Sequence, residues 1–209
     1  MSTKKKYVDS HWLVFTFQGV AALLFGWFAI FTNLKEHSGL IALTGLILLF
    51  FGVIELFNLL HRTHLKLTWG LTLGIAILEI AAALTLLFSI NQNPAWHIGI
   101  FSGYVLTRGV LEILLGLRSV DDRTDRAIWV ISGISGAILS FVILNSGSIF
   151  GSPSFFQCFG VYMSIFGLAT LIYGIHNRDQ SKLYAEERSL AAKKAAKTRR
   201  LQKTNKRSR

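Results

Sequence analysis

The chain has few of the residues that structure a secreted or soluble domain. It contains a single cysteine, Cys158, and only two prolines. One cysteine excludes both an internal disulfide framework and a metal site built from several thiolates. Charged residues make up only 16% of the chain, whereas 52% of it is hydrophobic. This balance indicates a membrane protein rather than a soluble domain.

Net charge is also scarce over most of the chain, because it is concentrated at one end. The formal net charge is +11 over 209 residues. From residue 177 onward, twelve Lys or Arg stand against three Asp or Glu, so this segment carries +9 and the remainder only +2. We therefore predict a basic tail at residues 178–209, separate from an apolar body at residues 11–177.

Long apolar runs are what the chain does have. Six of them come close to the ~20 residues that cross a hydrocarbon layer of ~30 Å. They cover roughly residues 12–32, 39–60, 69–90, 95–117, 127–149 and 154–175. In lipid the backbone must satisfy its own hydrogen bonds, which favours helices. The sequence predicts an all-α bundle of six transmembrane helices, and the first run is too long for a secretory signal peptide.

Lys and Arg are distributed unequally between the connections. They occur after the second and fourth runs, in residues 1–10 and in the tail, whereas the opposite side has only Lys35. By the positive-inside rule, both termini are predicted to be cytoplasmic in a multi-pass protein of the plasma membrane. The connections are short, so consecutive helices are predicted to form three tandem hairpins, at about 12–60, 69–117 and 127–175.

Pairs of small residues seven positions apart recur along the chain. On the even-numbered helices the pairs are Gly45 and Gly52, Ser102 and Gly109, and Gly160 and Gly167. On the odd-numbered helices the weaker counterparts are Gly19 and Gly26, Gly74 and Ala81, and Gly133 and Ser140. Residues seven apart lie about two turns apart, on nearly the same helix face. These pairs are predicted to let helix backbones approach closely, in three parallel repeats of a two-helix unit.

Four ionisable residues lie inside the predicted spans and form a candidate polar network: Glu55, Glu79, Arg108 and Glu112. A charge at the helix centre costs about 2.5–3.5 kcal/mol on insertion scales, so each is a functional candidate. Glu79 and Arg108 lie about 14–15 Å from the cytoplasmic edge of one hairpin, so they are predicted to pair. Glu112 is predicted to be the second partner of Arg108. Glu55 and Glu112 are predicted to lie about 7–8 Å from that edge, where water is within reach.

Two interpretations of this network stay open. It is either a structural polar network or the proton or solute site of a small transporter or channel, centred on Glu79 and Arg108. His37 and His97, near the outer face, are further groups that could gain charge on acidification. The sequence has no phosphate-binding glycine loop, metalloprotease motif or nucleophile elbow, so neither catalysis nor a cofactor is expected. His61 and His64 lack an evident third ligand, so no metal site is expected.

The basic tail has its own candidate partners. Residues 183–201 are rich in helix-forming residues and predict a short cytoplasmic helix. A basic segment beside a membrane favours attraction to anionic lipid headgroups. No aromatic residues are interleaved with the basic ones, which disfavours nucleic-acid binding. A third interpretation is a membrane scaffold that gathers partner proteins, or further copies of the chain, through its glycine-lined faces and its tail.

The hairpins, the glycine pairs and the acidic residue three positions after the second glycine, at Glu55 and Glu112, resemble a known family. The chain is similar over about residues 11–177 to the HdeD-like acid-resistance membrane proteins of bacteria. It departs from the pattern at Thr170, where the third copy has no acidic residue. The resemblance implies a non-enzymatic protein of the inner membrane with a role in survival at low pH, and it implies no catalytic residues.

Overall fold

Six long helices make up almost all of the described structure. The computed structural model describes residues 12–32, 37–61, 66–90, 93–119, 123–146 and 155–207. The helices are α1 (Trp12–Phe31), α2 (His37–His61), α3 (Lys66–Phe88), α4 (Pro94–Ser119), α5 (Arg123–Leu144) and α6 (Phe155–Arg207). No strand occurs within these ranges, and the predicted all-α fold is confirmed. The predicted cytoplasmic segment 1–10 lies outside the described residues.

Each of the six helices is long and apolar enough to cross a membrane. The 20 residues of α1 measure about 30 Å, the thickness of the hydrocarbon layer. The outward faces are apolar as well as the inward ones: Phe17, Leu24 and Trp27 of α1 are each more than 60% exposed. Such a surface suits lipid rather than water, and it indicates a multi-pass membrane protein.

The helices pack as three tight antiparallel pairs: α2 with α3, α4 with α5, and α6 with α1. In the last pair, Gly19 lies against Leu171 and Gly26 against Ser164, so the two chains run in opposite directions. Contacts of α3 with α4 and of α5 with α6 are less extensive, and α1 hardly touches α2. The tightest packing therefore joins neighbouring predicted hairpins rather than the two helices within one, and the return of α6 to α1 closes the bundle.

Small residues occupy the interface of each tight pair. Between α1 and α6, a Cβ on Gly19 would stand 2.8 Å from the carbonyl oxygen of Gly167. Between α4 and α5, a Cβ on Gly109 would stand 2.6 Å from the carbonyl oxygen of Gly133. Both distances are shorter than a carbon–oxygen contact allows, so the two backbones lie as close as they do only because these positions lack side chains.

The remaining predicted pairs lie in the same interfaces. A Cβ on Gly26 would stand 2.7 Å from the carbonyl oxygen of Gly160. The Ser102 hydroxyl donates a 3.0 Å hydrogen bond to the carbonyl oxygen of Ser140, which ties α4 to α5. All eight residues that the sequence assigned to helix packing on α1, α2, α4 and α6 therefore face a neighbouring helix: Gly19, Gly26, Gly45, Gly52, Ser102, Gly109, Gly160 and Gly167.

On α3 the predicted packing residues are wrong by two positions. The glycines of α2 face α3 near Ala76 and Ala83, whose carbonyl oxygens would lie 3.1 Å and 3.3 Å from an added Cβ. Ala81 is exposed, and Gly74 meets only a side chain of α4 at 3.9 Å. Gly19, Ala76 and Gly133 are spaced by 57 residues, the same offset that separates Gly45 from Ser102. The close-packing positions on α3 thus follow this period and are occupied by alanine instead of glycine.

Aromatic side chains of the even-numbered helices fill the centre of the bundle. Phe51 of α2, Phe101 of α4 and Phe166 of α6 are each at most 2% exposed. The rings of Phe101 and Phe159 lie 4.6 Å apart between centroids, and those of Phe51 and Phe166 lie 6.4 Å apart. Contacts of this kind between rings contribute about 0.5–1.5 kcal/mol each beyond the area that they bury.

The tail is a continuation of α6 rather than a separate short helix. The helix runs for 53 residues, from Phe155 to Arg207, and includes residues 202–207 beyond the predicted helix. Its apolar, membrane-length part ends at Asp179. Every side chain described between Lys182 and Ala192 is exposed, so this part of the helix has left the bundle.

Candidate functional site: a buried charged cluster

A cluster of charged and hydroxyl side chains lies inside the bundle, where α3, α4 and α5 meet. We call it the charged cluster; its members are Glu79 of α3, Tyr104, Arg108 and Glu112 of α4, and Ser132 of α5. Each is at most 4% exposed, and Arg108 is the largest fully buried side chain described. Because an unpaired buried charge is costly, the contacts of these groups decide what the cluster is for.

Arg108 is held on three sides. Its Nη1 atom forms an ion pair with Glu79, which joins α3 to α4 as the sequence predicts. Its Nε atom donates a 2.9 Å hydrogen bond to Oε1 of Glu112, one turn further along α4. The ring of Phe166 lies 4.3 Å from the guanidinium carbon, close enough for a cation–π contact. The hydroxyl of Tyr104 is a distant fourth neighbour, 3.5 Å from Nη1. Neighbouring side chains therefore balance the charge of the guanidinium.

Glu112 is fully buried in the protein, although its distance from the helix end places it where water is within reach. Its carboxylate is 0% exposed, because α5 covers this face of α4. One oxygen accepts from Arg108, and the other accepts a 2.8 Å hydrogen bond from the Ser132 hydroxyl of α5. Glu55, predicted to lie at the same shallow level, is only 7% exposed. Distance from a helix end thus gave the wrong exposure for both carboxylates.

Glu55 extends the cluster towards α2. It lies near enough to Arg108 and Tyr104 to act on both electrostatically. The four candidates of the sequence are therefore neighbours inside one bundle. Three carboxyl groups, those of Glu55, Glu79 and Glu112, share the field of a single guanidinium, so the cluster has more acidic than basic groups.

At the positions that correspond to Glu79 and Arg108, the other two repeats have uncharged residues. Where the middle repeat has Arg108, the first and third repeats have Phe51 and Phe166, 57 and 58 positions away. Where it has Glu79, the other repeats have Ala22 and Gly136. The first and third repeats thus pack without an ion pair at these positions. The residues of the first repeat, Ala22 and Phe51, are therefore suitable replacements for Glu79 and Arg108.

Several uncharged polar side chains also lie inside the bundle, and of these the sequence pattern points only to Thr170. Gln18 of α1 and Thr170 of α6 are at most 1% exposed, and neither has a hydrogen-bond partner among the described residues. In the 57-residue period they take the positions of Ser132 and Glu112, which do bond to each other. The hydroxyl of Tyr162 is likewise buried without a described partner. The repeat period, applied to uncharged polar residues, would also have pointed to Gln18 and Tyr162.

His97 lies at the end of the bundle where α3 ends and α4 begins. The sequence places it at the outer face, but it is 1% exposed. Its Nε2 atom lies 2.8 Å from the carbonyl oxygen of Ser89, so the ring donates to the C-terminal end of α3 and caps it. Beside it, Thr85, Phe88, Ser89 and Trp96 line an open depression of about 380 Å³. Among the described residues, no three His, Cys, Asp or Glu side chains are placed to hold a metal ion.

We expect Ser132→Ala to destabilise the bundle by about 1.5–3 kcal/mol, since it removes a hydrogen bond to a buried carboxylate and leaves Glu112 with one unmet oxygen. Ser135→Ala is the matched control on the same helix, because the Ser135 hydroxyl donates only to the carbonyl oxygen of Ser132 on its own helix. It should change stability by less than ~0.5 kcal/mol. Unfolding in mixed micelles measures both; equal losses would show that the bond to Glu112 adds nothing.

The fold and the charged cluster together define an all-helical, multi-pass membrane bundle with an ion pair in its core. Residues 17–88 match the model of a protein family described as a short repeat of unknown function, DUF308. The match covers most of α1 and all of α2 and α3, and so includes one tight pair and Glu79. No curated protein and no solved structure matches the chain.

Proposed function

We propose that the protein is a non-enzymatic, HdeD-like protein of the bacterial inner membrane that contributes to survival under acid stress. The match of residues 17–88 to the DUF308 repeat supports the family part of this proposal, since HdeD belongs to the same family. The excess of Lys and Arg in residues 1–10, in two connections and in the tail supports a cytoplasmic location of both termini. The partners that this proposal implies are the lipid bilayer and, through the basic tail, its anionic headgroups.

The observation that best supports a non-enzymatic, structural role is that the charged cluster is buried away from solvent. Glu79 and Glu112 are 0% exposed and Arg108 is 1% exposed, so no space the size of a water molecule touches them appreciably. A substrate or catalytic water has no access to such groups in this conformation. The charges instead satisfy each other across α3 and α4 and towards α5. Such a cluster holds the helices in one arrangement.

Two measurements test this function. Cells that lack the protein should lose viability after acid challenge, and wild-type protein and Glu79→Gln should restore it to similar levels, because the amide keeps a hydrogen-bond acceptor next to Arg108. Proteoliposomes with either protein should show the proton leak of empty liposomes across about pH 4–7, the range that brackets glutamate and histidine titration. Unchanged acid survival without the protein would remove the stress role.

A proton or small-solute transporter is the second candidate, and one observation favours it. Two carboxyl groups contact one guanidinium and that of Glu55 lies near it, and Oε2 of Glu79 and the hydroxyl of Tyr162 are buried without a hydrogen-bond partner among the described residues. An oxygen with unused capacity in such a place is where a transported proton would bind. Proton flux that is present in wild-type proteoliposomes and lost in Glu79→Gln would establish this candidate in place of the first.

A further inference from the structure

Buried polar side chains are concentrated towards one end of the bundle. We call this the inner end; it is the end at which α1, α3 and α5 begin, and it is proposed above to face the cytoplasm. The name polar half is used for buried polar side chains within nine residues, or about 14 Å, of the inner end of their helices. Those that matter here are Gln18, Glu55, Asn58, Glu112, Ser132 and Thr170.

The core towards the outer end is apolar instead. We call it the aromatic half, after the rings that fill most of it: Phe25, Leu86, Phe101, Ile143, Phe156 and Phe159. Each of these side chains is at most 4% exposed. The ring of Phe101 lies 4.6 Å from that of Phe159 and 5.6 Å from that of Phe156, between centroids. Apolar side chains packed at this density exclude water and ions.

The two halves also differ in how well their polar groups are hydrogen-bonded. Towards the outer end, the buried hydroxyl of Thr44 donates a 2.7 Å bond to the carbonyl oxygen of Leu40. In the polar half, both amide atoms of Gln18, Nδ2 of Asn58 and Oγ1 of Thr170 are buried without a hydrogen-bond partner among the described residues. A buried polar atom without a partner costs free energy, which is recovered when the atom reaches water. Hydration therefore favours opening of the polar half and disfavours opening of the aromatic half.

The charges of the cluster determine which solutes the polar half attracts. The carboxyl groups of Glu55, Glu79 and Glu112 are near the single guanidinium of Arg108. A site in which one sign of charge dominates raises the local concentration of small ions of the opposite sign. We propose that the polar half opens to the aqueous phase at the inner end and admits water and small cations to the charged cluster, whereas the aromatic half keeps them out from the outer end.

The contact between α1 and α2 offers the least resistance to this opening, because these two helices hardly touch. The rings of Phe17 and Phe50 lie 6.2 Å apart across it, and they are 61% and 45% exposed. Phe17 directly precedes Gln18 in α1, and Glu55 and Asn58 lie on α2. Separation of α1 from α2 at the inner end would uncover the polar half while the three tight pairs stay intact. A route that is open at one end only carries no protons across the membrane, as expected above for the proteoliposomes.

Single cysteines that react with a water-soluble, cationic methanethiosulfonate test the two halves. Thr170→Cys and Met163→Cys are matched positions, since both residues are 1% exposed and lie seven positions apart on nearly the same face of α6. Each is combined with Cys158→Ala, so that the full chain has one thiol in nanodiscs. Ser189→Cys, on the exposed part of α6, gives the rate of an accessible thiol. Only the thiolate reacts and apolar surroundings suppress it, so Thr170→Cys should react at least about tenfold faster than Met163→Cys.

The outcomes of this comparison are distinct. Undetectable reaction at both positions would overturn the opening of the polar half. Equally fast reaction at both would overturn the seal and favour the transporter candidate instead. Loss of Met163 leaves space in the apolar core, which can only raise its rate and so works against the proposal. Gln18→Cys reports on the polar half from α1, and the same order relative to Met163→Cys is expected if Thr170→Cys does not fold.

The charge of the reagent tests the kind of solute. Each rate is divided by the rate of the same reagent with a small free thiol. On this scale the cationic reagent should react with Thr170→Cys at least about tenfold faster than an anionic methanethiosulfonate. Adding Glu55→Gln should lower this preference by about threefold or more, whereas Glu186→Gln, which removes the same charge from an exposed site, should leave it unchanged. An equal or faster reaction of the anionic reagent would overturn the assignment to cations.

Discussion

Arg108→Phe alone is expected to destabilise the bundle by about 3–5 kcal/mol, the cost of removing one member of a buried ion pair. The substitution leaves Glu79 without its counter-ion and Glu112 with only Ser132 as a partner. The new ring itself should fit, because phenylalanine already occupies the equivalent positions 51 and 166. The loss would therefore come from uncompensated carboxylates rather than from packing. The free energy of unfolding in mixed detergent micelles, followed by circular dichroism, measures it.

The double variant Glu79→Ala/Arg108→Phe is the control that identifies the cause. It gives the middle repeat the residues that the first repeat has, Ala22 and Phe51, while Glu112 remains as the counterpart of Glu55. Replacing both members of a buried pair by apolar groups is often close to neutral, so at least half of the stability lost in the single variant should return. A double variant as unstable as the single one would show that the uncompensated Glu79 is not the reason for the loss, which would leave Glu112 and the new ring as its causes.

The same double variant separates structure from function. If the charged cluster only holds helices together, cells with a stable double variant should survive acid challenge as well as wild-type cells do. If the variant folds but survival is lost, then Glu79 or Arg108 has a role beyond packing, because the uncharged residues of the other repeats cannot replace them. The second result would favour the transporter candidate over the structural reading.

The sequence predicts the members of the charged cluster well because charges are conspicuous in apolar runs. The pairing of Glu79 with Arg108 follows from similar depth in consecutive antiparallel helices, and the contact of Arg108 with Glu112 follows from their four-residue spacing. Both inferences use local geometry alone. Ser132 was not foreseen, since a serine in an apolar helix is unremarkable until the helix that it faces is known.

The arrangement of the helices could not be predicted from the same information. A glycine pair identifies the face of a helix that packs closely, but not the helix that it meets. In the structure α2, α4 and α6 meet α3, α5 and α1, so that the last pair joins opposite ends of the apolar body. The burial of Glu112 depends on that arrangement, because α5 covers it. Depth along a helix is a one-dimensional quantity, whereas exposure depends on the neighbours.

Gly109→Ala is expected to destabilise the bundle by about 1–3 kcal/mol or more, as overpacking of a tight interface does. The added methyl group would stand 2.6 Å from the carbonyl oxygen of Gly133 and 3.2 Å from the backbone nitrogen of Ala137. Both are backbone atoms and cannot rotate away as a side chain could. Helix α5 would have to move outward, which would also lengthen the bond between Ser132 and Glu112.

Gly103→Ala is the matched control, six positions earlier on α4. An added Cβ there meets no atom within 4 Å, and the residue is exposed on the outward face. Because alanine favours the helix over glycine by about 0.5–1 kcal/mol, this variant should be as stable as the wild type or slightly more stable. Opposite signs for the two substitutions in the same unfolding assay would show that close approach, and not helix propensity, is what the seven-residue glycine pattern encodes. If Gly109→Ala were as well tolerated as Gly103→Ala, the tight α4–α5 interface would not be the source of the bundle's stability.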